Sequence, residues 1–433
     1  MRTRTESMTG TRKEKANATK EEEETVLLIK TVTVFVMKEK ELSGRKDATG
    51  EEEMVTNRNT VKLFFYAVIA LVLIPSASNA QFSLSTGLNM SFNDNINSNY
   101  ELLSDEVTEF FFETAYDFPS KNKNFELYYE GSLNYYRENI NRTFHEHTVG
   151  MMYSTSFGKK LGSSFNTGAS FLTSLNREDY TYLDYNDASA FVNYRTYTGK
   201  RTAWQIGYSF DYYNYSDISD FNNIQNYLYT SFTGYLPSRT TLGIETGAGV
   251  KTYLNSLVSS SSSMGQGKHK TGSTTLLGES VSRLDISGKV SQSIFDMTGI
   301  SLSGGYSKIL KSNDRYLVSG NVTGSDNVFD DEYSFEGPFV HSTLTQRFPW
   351  GIAAVLAGSY QYRMFVDRPA YDLNENVISD ERADDVFSAS FQLVKNFDYF
   401  GIRFVYNYIN NTSNDQYYNF RNNIFSVEIG AGF

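Results

Sequence analysis

His145, Glu146 and His147 are the residues of this sequence whose types and spacing come nearest to a metal site. Two imidazoles two positions apart on an extended chain project to one side, and each offers a ring nitrogen. A zinc site needs three or four protein ligands, and no third is identifiable. The remaining histidines, His269 and His341, stand far away in sequence, and no Ser–His–Asp set can be assembled around any of the four. Cys is 0, so thiolate metal sites, disulfides and cysteine nucleophiles are excluded. The acid-rich stretches near 93–106, 319–332 and 372–385 lack the spacing of a calcium loop. The reading is of a protein that is not an enzyme and has no cofactor or metal.

A different chemistry is offered by charges that recur at every second or fourth position. Glu109, Glu113 and Asp117 share one parity in their segment and Glu126 and Glu130 one parity in the next, and the apolar and aromatic residues around them take the other parity of each. The same holds for Arg195, Lys251, Arg283, Lys289, Arg363 and Arg403, with Glu245, Asp285 and Glu428 among them. Such groups cannot be left dry and unpaired. Facing a water-filled space, they form an acidic wall and a set of facing bases able to orient and select polar solutes. Ser164, Asn166, Gly168, Ser170, Ser301, Ser303, Gly305, Ser388 and Ser390 share the wet parity and would keep that space open. No inward aromatic ladder is evident, and the register of Tyr227, Tyr229 and Tyr235 is not fixed by the sequence.

The elements that would hold these groups are strands. From Gln81 onward, segments of period two begin near 82, 109, 124, 146, 163, 189, 201, 224, 240, 281, 299, 335, 350, 385, 400 and 423, those near 189, 224 and 335 being the weakest. Connectors alternate: short turns such as PSKNK, GKKLG and PSR, then long polar loops such as NDNINSNYELLSDEV and VDRPAYDLNENVISDERAD. Short turns at one rim and long loops at the other, with both termini on the short-turn side, define a transmembrane barrel. A soluble sandwich would mix connector lengths without regard to order. The fold expected is all-β, an antiparallel transmembrane barrel of about sixteen strands, fourteen being the alternative, with short periplasmic turns and long extracellular loops. Tyr 32 and Phe 32 in a chain of negative mean hydropathy fit aromatic girdles at the membrane interfaces.

The chain ends on IFSVEIGAGF, with Phe425, Val427, Ile429 and Phe433 on one face. This tail resembles the C-terminal signal strand of Gram-negative outer-membrane β-barrel proteins, the porin-like superfamily. The resemblance implies recognition of those four residues by the barrel-assembly machinery, an outer-membrane location in a Gram-negative bacterium, and, by similarity to porins, a homotrimer.

At the front, Lys62 flanks an apolar run from Leu63 to about Pro75, followed by small residues up to Ala80. This reads as a signal peptide over 54–80, with the mature barrel spanning 81–433 and residues 1–53 a mis-assigned or disordered extension. Residues 1–80 hold 13 Lys+Arg and 12 Asp+Glu, which leaves 26 basic against 38 acidic residues downstream. So acidic a chain is no nucleic-acid binder. No plug domain precedes Phe82, so plug-gated active transport is not expected.

The function that follows is a passive, water-filled outer-membrane channel for small hydrophilic solutes. Its partners are outer-membrane lipid and lipopolysaccharide outside, polar solutes inside, and the assembly machinery during biogenesis. The alternative is a structural, surface-binding or assembly barrel whose lumen is occluded by a long loop. Inward folding of 254–280 or 311–333 would favour it.

Overall fold

The computed structural model describes residues 81–158, 162–255, 268–269, 279–312, 317–318, 330–398 and 400–432. The expected extension 1–53, signal peptide 54–80 and terminal Phe433 lie outside them, as does the side chain of His269. Sixteen strands close one barrel. They are β1 Gln81–Asn93, β2 Asp105–Ser120, β3 Lys123–Tyr136, β4 Phe144–Phe157, β5 Ser163–Asn176, β6 Tyr185–Tyr197, β7 Thr202–Tyr215 and β8 Asn223–Tyr235. The second half comprises β9 Thr240–Tyr253, β10 Ser280–Phe295, β11 Thr298–Lys311, β12 Gly337–Arg347, β13 Ile352–Phe365, β14 Arg382–Asn396, β15 Phe400–Ser413 and β16 Phe420–Gly432. The three segments whose patterning was weakest are β6, β8 and β12, and all are full members of the sheet.

Every neighbour pair is antiparallel, and β1 pairs with β16 from Ser85↔Gly432 to Asn93↔Ile424. Closure satisfies the backbone groups that an open edge would leave unpaired in a bilayer. The register then fixes which side chains point out. Phe82, Met90, Phe92, Phe110, Phe171, Ile244, Ile286, Leu302, Leu356, Phe387 and Ile429 are all exposed large apolar residues. They form the outward belt that a bilayer, not water, would cover.

The long connections gather at one rim and each is bonded to the next. The Arg142 guanidinium donates to the Ile96 carbonyl at 3.5 Å and to Asn97. Asn141 donates to Asp179 at 3.1 Å, the Ser216 amide to the Asp184 carbonyl at 3.1 Å, and Asn255 to the Ser219 carbonyl at 2.7 Å. Residues 268–269 pair with 317–318 as a two-stranded sheet. Arg368 pairs with Asp330, the Tyr371 amide donates to Asp415 at 3.1 Å, and the Tyr100 amide donates to the Tyr417 carbonyl at 3.1 Å. The rim is a continuous collar, so the loops hold one another.

Candidate functional site

Within the barrel the strands turn their polar parity inward. Glu109, Glu113 and Asp117 of β2 stand opposite Asn134, Glu130 and Glu126 of β3. The Glu113–Glu130 and Asp117–Glu126 pairs set like charges directly across a ladder, which is unfavourable unless solvent screens them. Glu113 and Glu130 are indeed exposed to the interior space. Farther round, Glu245, Lys289, His341 and Arg403 are inward and exposed as well. The middle of the lumen is therefore wet.

The long-loop end is different. Residues 330–336 fold into the lumen, and neighbouring acids reach strands on either side of the segment's own β11–β12 connection. Asp330 pairs with Arg368 and, at 3.0 Å, with Arg382 on β14. Asp331 accepts from Lys251 on β9 at 2.8 Å and from Gln225 on β8 at 3.2 Å. Arg283 on β10 donates to the Glu332 carbonyl at 2.6 Å and pairs with its carboxylate at 2.9 Å. Phe335 packs edge-on against the fully buried Phe365 at 5.6 Å, and Glu336 accepts from the Ile309 amide at 3.0 Å. Since adjacent residues reach β8–β9 on one side and β14 on the other, the segment forms an inward bridge along the wall from β8 to β14 at the long-loop end.

Arg382 carries the heaviest load in this bridge. It binds Asp384 through two nitrogens, at 3.1 and 2.6 Å, and its guanidinium lies 4.0 Å over the Phe365 ring and 3.3 Å over the Tyr418 ring. Burial alone would raise the Asp330 carboxyl, but the Arg368 and Arg382 charges outweigh it and hold it at about 2. Asp330 is thus ionised throughout the physiological range.

The sequence-predicted residues divide accordingly. Glu109, Glu113, Asp117, Glu126 and Glu130 lie together on the lumenal face of β2 and β3. Arg195, Lys251, Arg283, Lys289, Arg363 and Arg403 also face inward, yet they do not form one free basic wall. Lys251 is bound by Asp331, and Arg283 by Asp285 at 2.8 and 2.9 Å. Arg403 pairs with Glu428 at 3.0 Å, Arg363 donates to Gln361 at 2.9 Å, and Arg195 donates to the Tyr235 hydroxyl at 2.7 Å. Of these six bases, Lys289 alone has no such partner among the described residues, and it is exposed to the lumen. The acidic wall stands largely unopposed, because sequence parity fixes direction but not height or pairing. Phe425, Val427 and Ile429 face outward on β16.

His145 and His147 face outward on β4, where His145 and His147 are 3.0 Å apart and His147 lies 2.7 Å from the Tyr129 hydroxyl. No group of three or more candidate metal ligands exists among the described residues. The absence of an inward aromatic ladder is corrected. Tyr227, Tyr229 and Tyr235 all point into the lumen, with Tyr197, Tyr213 and Tyr253 on neighbouring strands. The sequence signal was present in those tyrosines, but a one-residue slip in β8 would have turned them all to lipid.

A wet, charged interior inside an apolar outer belt, closed edge to edge, decides the class. The molecule is a transmembrane β-barrel of the outer-membrane type. The family described as surface lipoprotein assembly modifier matches residues 300–433, the last six strands. No curated protein matches the chain. Among solved structures, the barrel is similar to OprE of Pseudomonas aeruginosa, at 12% identity over 82% of this chain and 98% of that one, TM-score 0.45. The outer membrane protein OprD from the same organism is similar at 11% identity over 82% and 94%, TM-score 0.44, and its opdK at 9% over 82% and 99%, TM-score 0.45. Likeness at this level says nothing of what passes through the lumen.

Proposed function

We propose that this barrel is a passive outer-membrane channel of a Gram-negative bacterium, passing small hydrophilic solutes and preferring cations. The observation that carries the reading is the exposed Glu113–Glu130 pair in mid-lumen, which requires water around it. Solutes diffuse through that water, and the acidic wall of β2 and β3 raises the local concentration of cations. The segment 330–336 narrows the extracellular end and sets the size limit. Lipid and lipopolysaccharide cover the outer belt, the assembly machinery reads the β16 tail, and the barrel is a homotrimer. It performs no enzymatic step. Single-channel conductance of the refolded chain from Gln81 to Phe433, with a reversal potential under a salt gradient, tests the reading. Ohmic steps with cation preference are expected, and a folded barrel that conducts nothing overturns it.

A second reading is favoured by the inward fold of 330–336 and by the family match over 300–433. In it the barrel acts in placing lipoproteins at the cell surface, with the collar of loops as the contact face. Loss of surface-displayed lipoprotein on deletion, with no change in small-solute uptake, would select it over the channel.

A further inference from the structure

The inward aromatic rings of β6–β9 lie flat on the barrel wall. Tyr229 occupies the space over Gly207, and Tyr227 that over Gly247 and Gly249, so no Cβ could be added at those glycines without displacing a ring. A ring laid over a glycine of the next strand shields its backbone and turns one face toward the lumen. Tyr227 and Tyr229 stack at 6.2 Å between centroids, 27° from parallel. The Tyr229 hydroxyl is pinned, donating to Asn193 at 2.8 Å and accepting from Gln205 at 3.0 Å, which fixes the plane of its ring.

The chain's own cations already use the two ends of this track. Arg283 sits 5.9 Å over Tyr227 and Lys251 5.0 Å over Tyr253 on the long-loop side, and Arg195 sits 5.6 Å over Tyr197 on the short-turn side. Tyr229, between them, carries no cation among the described residues. One carboxylate stands beside it: the exposed Glu245 of β9 is registered against Ser231, the next inward residue of β8 after Tyr229, while Asp187 and Asp211, which share the Ser189 hydroxyl at 2.7 and 2.9 Å, lie higher on the wall, level with Asn223 and Gln225.

We propose that the tyrosine track of β6–β9, centred on Tyr229, is a binding station for an organic cation, an alkylammonium or quaternary ammonium group. An aromatic face attracts a cation through its quadrupole, most strongly where water is partly excluded, and the neighbouring Glu245 supplies the counter-charge. The neutral planar solutes that also stack on tyrosine gain nothing from that acid. The station rests on the channel reading only for its route of entry, through the wet lower lumen.

Binding of choline to the detergent-folded barrel, read by saturation-transfer NMR, tests this without requiring conduction, with maltotriose and glycerol as neutral probes. Choline is expected to bind and the neutral probes not to. Tyr229→Leu should weaken choline binding about two- to five-fold, the size of one partly exposed cation–π contact. Tyr229→Phe, which keeps the face, should retain it. Equal binding of maltotriose, or choline binding unchanged in Tyr229→Leu, overturns the station. In planar bilayers, choline should also lower the conductance of the original chain. A barrel that binds choline yet never conducts would overturn the channel while leaving the station in place.

Discussion

Arg382 is 4% exposed in its side chain and is held between Asp330 and Asp384, the latter 1% exposed. Removing one member of so buried a set leaves a charge without a partner, which costs about 3–5 kcal/mol. Arg382→Met should therefore shift the urea unfolding of the detergent-folded barrel by about that amount. Arg403→Met, at the half-exposed Arg403–Glu428 pair, should cost no more than about 1 kcal/mol. Asp330 also sets an acid limit. Its carboxyl titrates at about 2 in the folded chain against 3.8 in a free one, so its stabilisation is complete above pH 3.8 and is lost as pH falls toward 2. The loss is about 2 kcal/mol. Conductance should stay level down to about pH 4 and rise below it as the bridge loosens, and Asp330→Asn should abolish that acid phase.

At the scale of elements, the lumen is built by strands whose two faces obey different solvents. Ile429 lies on the lipid side of the last strand, 45% exposed and registered against Leu88 and Ile402. Ile429→Arg, three residues from the short-turn end of β16, should lower folding stability by about 1 kcal/mol, less than the same change would cost at the bilayer midplane. Folding yield into liposomes, followed by the heat-dependent gel shift of a folded barrel, measures it. Placing Arg at Glu428, one residue away on the lumenal face, should leave folding near normal and disturb only the Arg403 pair. Gly337 is the hinge on which the inward segment returns to β12. Its φ is +147°, and a Cβ there would meet the Tyr362 carbonyl. Gly337→Ala should cost about 1–3 kcal/mol and release the segment before the barrel, seen as proteolysis at 330–336 with the strands still protected.

For the whole molecule, the interior changes character along its axis. The lower and middle lumen is wet and acidic, and the long-loop end is packed around ionised pairs inside a ring of mutually bonded loops. Neutralising the acidic wall with Glu113→Gln and Glu130→Gln should move the reversal potential in a salt gradient toward zero. The shift should be larger in dilute salt than at molar salt, where the Debye length shrinks to about 3 Å. Folding should be unharmed or improved, since both substitutions relieve the direct opposition of like charges.

Alternation and connector length were local properties, so the sequence alone determined the barrel, its rims and the inward direction of every charge singled out on β2, β3, β6, β9, β10, β13 and β15, while sixteen strands rather than fourteen was settled by closure. A period of two leaves little freedom once one face must meet lipid. What the sequence could not determine is partnership between distant segments inside the lumen. Asp331 and Lys251 are eighty positions apart, and nothing in either neighbourhood foretells that they meet. The inward fold of 330–336, the neutralisation of Arg283 and Lys251, and the flat lie of Tyr227 and Tyr229 over glycines of the next strand all depend on closure. Only the tertiary structure decided them, because closure alone brings distant loops and walls within the few ångströms over which ions and rings interact.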